Sequence, residues 1–107
     1  MDASSVAGSI VAGHPRDRIK ALRAVRDAEG AYISASDREI TTAIPILAQG
    51  CGVFAEPAAA AAHAGLVRAA GQGRINPGGR VVVLATGSGL KDVASVLSAV
   101  EEKPAVV

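Results

Sequence analysis

An α/β fold built on an incomplete parallel sheet is what the sequence predicts, and three observations carry that expectation. The run Val81-Val82-Val83-Leu84 is short, continuous and aliphatic, bounded by Pro77-Gly78-Gly79 before it and Gly87 after it, which is the pattern of a strand buried on both faces. Helical stripes lie on either side of it, so the order reads helix, strand, helix, helix, strand, helix, with only two strands. A parallel strand that is apolar on both faces needs strands on each side and helices above and below. These 107 residues do not supply them all. The expectation is therefore a single segment, 1–107, that is either a piece of a larger α/β protein or completes its sheet through another chain.

Each element has its own local signal. Residues 1–14 mix small, polar and apolar types without a period and read as a loop, with at most an extended piece at Ser9 to Val11. From Pro15, a favoured first helical residue, Ile19, Leu22, Val25 and Ala28 form one stripe and Arg16, Arg23 and Arg26 lie mostly outward, until Gly30 closes the helix. Ala31 to Ser36 alternates weakly with Ile33 inward and reads as a strand, and Ser36-Asp37-Arg38-Glu39 is a capping box that starts a helix at Asp37. Ile40, Ala43, Ile44, Leu47 and Ala48 make its apolar face, while Pro45 removes a backbone donor and predicts a kink. Pro57 opens an alanine-rich helix to about Ala70, whose small residues Ala58 to Ala62 and Gly65 permit close approach of neighbours, with Leu66 and Val67 as its larger apolar anchors. After the turn at Asn76-Pro77-Gly78-Gly79 comes the strand at 81–84. A last helix from Lys91 or Asp92 places Val93, Val96, Leu97 and Val100 on one stripe, and 103–107 reads as a frayed tail.

Composition excludes several classes of function. The chain is 50% hydrophobic and 20% charged with a net charge of +1, which gives no electrostatic footprint for a polyanion. Its 2% aromatic content leaves no stacking platform for nucleic acid. No apolar run approaches the roughly 18 residues of a membrane span, and no signal-peptide pattern opens the chain, so a cytoplasmic protein is expected. Cys51 is the only cysteine, so an internal disulfide and a CxxC motif are excluded. Flanked by Gly50 and Gly52, it reads as an inert small hydrophobe. His14 and His63 lack spaced companions for a metal site. Gly87-Ser88-Gly89-Leu90-Lys91-Asp92 begins like a dinucleotide fingerprint but has Asp92 where glycine is required. No serine sits in a nucleophile elbow.

Two positions stand out. Thr86 ends the 81–84 run at a glycine-rich turn (Gly87, Ser88, Gly89), where open α/β sheets present chemistry. Glu56 precedes Pro57, at the positive end of a helix. Each has a plain structural alternative, since Glu56 could cap the helix and Thr86 could simply end the strand.

The phrases GVFAEPAAAAAHAGL (Gly52 to Leu66) and GGRVVVLATGSGLKD (Gly79 to Asp92), in that order, resemble the C-terminal third of threonine synthase. That family depends on pyridoxal phosphate and has the tryptophan-synthase-β-like fold, fold type II. Ser9 to Ile40 extends the resemblance through the family's S-I-x-x-G-x-P-x helix, the following strand and the S-D-x-E-I helix start. Related serine and threonine dehydratases share the E-P-x-x-A helix but usually end their last strand in S-G-G-N, whereas T-G-x-G-L-K-D here favours threonine synthase. The sequence departs from the family's usual pattern at Gly8, Pro45 and Ser88. The resemblance implies that Thr86 meets the pyridine nitrogen of the cofactor, that Gly87 lets the ring lie close to the backbone, and that Glu56 sits near the ring's edge. It also implies that Ala7, Gly8 and Ser9 form the loop facing a small amino-acid substrate. No catalytic residue and no metal ligand is expected in this segment, because the family's Schiff-base lysine and glycine-rich phosphate loop belong to its N-terminal two-thirds. Lys91 is expected to be solvated, not a nucleophile. The expected partners are the N-terminal remainder of the enzyme, or another chain that completes the sheet, with a homodimer as a further option.

Overall fold

A computed structural model describes residues 2–101 and shows four α-helices: α1 Arg18–Asp27, α2 Asp37–Cys51, α3 Pro57–Gly71 and α4 Val93–Glu101. Two single 3₁₀ turns, Gly8–Ile10 and Gly89–Lys91, precede α1 and α4. The frayed tail expected at 103–107 lies outside the described residues.

The best-specified element is α2. Ser36 Oγ accepts from the Glu39 N–H at 3.3 Å and the Glu39 carboxylate accepts from the Ser36 N–H at 2.7 Å, so the capping box forms and the helix begins at Asp37 as its sequence requires. Ile40, Ala43 and Ile44 are buried as expected, Leu47 is half-buried and Ala48 is exposed. The helix runs on through the buried Pro45 to Cys51, and Gly52 ends it with a left-handed φ of 71°, a conformation that costs glycine little. Cys51 is exposed there, not packed as a small hydrophobe, and its thiol donates to the Leu47 carbonyl at 3.2 Å.

Pro57 opens α3 as predicted, and Gly71 is its last residue. Its Ala59, Ala60 and Ala64 pack against Ile40, Ala43 and Ile44 of α2, while Val96 and Ala99 of α4 close the cluster. Seven of the ten residues in that cluster are alanine; at roughly 25 cal/mol per Å² of apolar surface, such small side chains build a thin core.

Several expectations need correction. The extended piece at Ser9 to Val11 is instead the 3₁₀ turn Gly8–Ile10. The first helix begins at Arg18, not Pro15, and buries none of its residues, with Ile19 and Leu22 more than half exposed. On α4 the buried pair is Val96 and Ala99, whereas Val93, Leu97 and Val100 are exposed. Among the described residues no strand forms. Segments 31–36 and 81–85 carry no ladder, and the amides of 31–35 and 81–85 donate no hydrogen bond to another described residue. A strand is a pairing and not a local conformation. The aliphatic run at 81–84 has no strand to pair with among the described residues, and Val82 is 85% and Leu84 72% exposed. Both segments instead line a trough of about 450 Å³ over the Ala61, Gly65 and Leu66 surface of α3. No helix among the described residues is long and apolar enough to cross a membrane.

Candidate functional site

Although the sheet is missing, the two sequence-selected regions meet. Ala55 and Ser88 form an isolated antiparallel bridge, in which the Glu56 N–H donates to the Gly87 carbonyl at 3.1 Å and the Gly89 N–H donates to the Phe54 carbonyl at 2.9 Å. The bridge sets the start of α3 against the glycine turn that follows Thr86. Glu56 lies opposite Gly87 as a result.

Glu56 is the N-cap residue of α3, and its carbonyl accepts from the Ala60 N–H at 2.9 Å, but its carboxylate caps nothing. The side chain turns instead into a cluster where it is only 5% exposed. Its Oε2 accepts from Ser9 Oγ at 3.3 Å and its Oε1 from Lys91 Nζ at 3.3 Å. The plain capping reading of Glu56 thus fails for the side chain, although a carboxylate at a helix N-terminus still gains from the helix dipole. Gly87 packs so closely that a Cβ on it would overlap the Glu56 carboxylate. The glycine is required by this carboxylate whatever else it serves.

Of the six residues chosen from the sequence, the fold brings Glu56, Gly87 and Ser9 into one cluster. Thr86 adjoins it through the chain; it is exposed, and its hydroxyl makes no hydrogen bond among the described residues. Gly8 opens the 3₁₀ turn on the surface, whereas Ala7 is buried in the core and anchors that turn. Lys91 was missed. Its side chain is 64% exposed, in keeping with a solvated lysine, yet its ammonium is the ion-pair partner of Glu56. The two residues are 35 positions apart, a separation that no local pattern reveals. His14 is exposed and His63 half-buried. Among the described residues no three His, Cys, Asp or Glu side chains gather as a metal site would require. A groove of about 250 Å³ between α2 and α3, rimmed by Arg38, His63 and Arg68, shares no residue with the Glu56 cluster.

Comparison with known proteins decides the family. The model of the pyridoxal-phosphate dependent enzymes matches residues 2–87. The chain belongs to the pyridoxal-phosphate-dependent enzyme family. Its relatives include the threonine synthase of Halalkalibacterium halodurans, 39% identical over 103 residues that make up 96% of this chain and 29% of that enzyme. The threonine synthase of Mycobacterium tuberculosis H37Rv is 41% identical over 82% of this chain and 24% of its own length. That of Methanocaldococcus jannaschii is 38% identical over 92% of this chain and 24% of its own. The chain therefore spans between 24% and 29% of the length of these relatives, matching their C-terminal part. Membership in this family carries dependence on pyridoxal phosphate, and it fits a tryptophan-synthase-β-like fold.

Proposed function

We propose that this chain is one wall of the active site of a threonine-synthase-like lyase, which converts O-phosphohomoserine and water to threonine and phosphate. The observation that carries the reading is the match to threonine synthases over 82% to 96% of the chain. The T-G-x-G-L-K-D ending at Thr86 to Asp92 supports it against a dehydratase.

Within that wall, Thr86 would meet the pyridine nitrogen of the cofactor. Its support is the donor set: an exposed neutral hydroxyl, uncommitted among the described residues, at the edge of a glycine turn. Pyridoxal phosphate, when bound, supplies the electron sink for the reaction. A hydroxyl partner leaves its ring nitrogen largely unprotonated, which moderates that sink more than a carboxylate partner would. The carboxylate nearest the turn, Glu56, is already engaged by Ser9 and Lys91. It would border the ring's edge as a fixed charge and not act as a mobile base. The turn at Ala7, Gly8 and Ser9 would face the substrate side. The lysine that carries the cofactor and the loop that holds its phosphate would come from the remainder of the enzyme, so the 107 residues alone would be inactive.

The test is to assemble the chain with the N-terminal part of a threonine synthase and to assay it with pyridoxal phosphate. Phosphate release from O-phosphohomoserine with threonine as product is the expected result. Release of ammonia from threonine, without turnover of the phospho-substrate, would move the assignment to a serine or threonine dehydratase. Failure to associate with any such part would point to a chain with no catalytic partner.

A further inference from the structure

Glu56 is the one charged side chain that is buried among the described residues, and both of its oxygens are taken by the chain itself. Three pieces of backbone meet there. Its own N–H fixes the Gly87 carbonyl, its Oε1 fixes the Lys91 ammonium four residues later, and its Oε2 reaches the hydroxyl of Ser9 in the first 3₁₀ turn. The turn from Gly87 to Lys91 is thus tied at both ends to a single residue, and the Ser9 turn to the same one.

We infer that Lys91 is a positioning residue, whose ammonium pairs with the Glu56 carboxylate and thereby holds the Thr86–Gly87 turn and the Ser9 turn in register at the start of α3. The inference deepens the function proposed above and depends on it only for the meaning of the turn. The tie itself is a matter of geometry.

The competing view is a surface ion pair of no consequence, since exposed pairs contribute little. The asymmetry of this pair decides against that view. Lys91 is 64% exposed but Glu56 only 5%, so removing the lysine charge leaves a carboxylate in a protein interior with one hydroxyl donor at 3.3 Å. A buried charge that loses its partner forces a rearrangement. The segment free to rearrange is the glycine turn, because α3 is fixed by its packing on α2. Nor can the carboxylate simply withdraw toward Gly87, whose Cα already lies against it. Lys91 also serves as a point charge and not as a two-pronged donor, so arginine at this position keeps what the site needs.

The experiment uses the assembled holoenzyme and reads amide exchange at Glu56 and Gly89, the two amides of the Ala55–Ser88 bridge. Lys91→Met is expected to accelerate exchange at both by ~10-fold, through local opening of the turn. Lys91→Arg should stay within ~2-fold of the parent, and Lys91→Met combined with Glu56→Gln should exchange no faster than Lys91→Met alone. The absorption band of the bound cofactor should shift in Lys91→Met and return in Lys91→Arg, which a role in stability alone would not produce. Lys91→Gln, a second neutral variant, should match Lys91→Met. Exchange unchanged in both neutral variants, or Lys91→Arg as disturbed as Lys91→Met, would overturn the proposal. Because the exchange readout needs no turnover, an enzyme inactive on O-phosphohomoserine but tied as described would sink the function and leave this inference standing.

Discussion

At the scale of single residues, Gly87 and Gly89 are two residues apart in one turn yet face different obstacles, and the difference sets what each tolerates. A Cβ on Gly87 would run into the carboxylate and the side-chain carbons of Glu56, which is buried and held from two sides. One on Gly89 would come within 2.8 Å of the Phe54 ring. Phe54 is 40% exposed and can rotate outward. Gly87→Ala is therefore expected to destabilise the assembled enzyme by about 1–3 kcal/mol, as overpacking of a fixed site does, and Gly89→Ala by clearly less. Unfolding midpoints of the two variants check this. Adding Glu56→Ala to Gly87→Ala should recover part of the loss, since the two changes share one space. Equal losses for the two glycines would mean that the carboxylate yields as readily as the exposed ring. The importance of Gly87 was legible in the sequence because glycine turns after strands mark sites. Its immediate reason, a carboxylate 31 positions earlier in the chain, was not.

Among the elements, those with complete local signals were the legible ones. The Ser36 to Glu39 box marked the beginning of α2 because it satisfies backbone donors within four residues, and Pro57 marked that of α3 because its fixed φ and missing N–H suit the first helical position. The apolar stripe of α1 gave only a face, which no element among the described residues buries. The 31–36 and 81–84 strands failed for the same reason, as a ladder requires a partner that local preference cannot supply. The box also carries a pH dependence. Hydrogen bonds from the Ser36 hydroxyl and then the Ser36 N–H hold the Glu39 carboxyl below the usual carboxylate range, against an opposing contribution from burial and with a smaller pull from Arg68 at 3.5 Å. A carboxyl whose folded value lies below its unfolded value of about 4.3 stabilises above that pH, and the contribution fades as pH falls through the folded value. Ser36→Ala should cost ~1 kcal/mol at pH 7, and its gap from the parent should narrow at an acid pH where Glu39 is protonated. Urea unfolding of both proteins at the two pH values measures this. A gap that stays constant would show that the Ser36 hydroxyl's bond to the Glu39 carboxylate contributes nothing to stability.

On the scale of the whole molecule, the exposed surface is large for the mass. The chain exposes 8054 Å² at a mass of 10.6 kDa, where a folded monomer of that mass exposes roughly 5,500 Å². Its radius of gyration is 14.8 Å against about 13 Å for a compact domain of similar length. Part of the exposed apolar surface lies in the 81–84 run and on α1. Val81, Val82 and Leu84 on one side of the trough over α3, and Ile19 and Leu22 on α1, are all exposed aliphatics, and the backbone donors of 31–35 and 81–85 are unpaired within the described residues. Apolar side chains and unpaired backbone in the same segments are what a sheet lacking its neighbours presents. In the isolated chain, amides at 81–85 should therefore exchange nearly as fast as in an unstructured peptide, while those within α2 and α3 are slower. In the assembled enzyme the same 81–85 amides should become among the slowest, because a parallel strand covered on both faces opens only with the core. Hydrogen exchange with mass-resolved peptides spanning 79–86 distinguishes the two states. Slow exchange at 81–85 in the isolated chain, measured while it sediments as a monomer, would mean that these residues find partners within their own sequence, and the incomplete sheet would have to be abandoned.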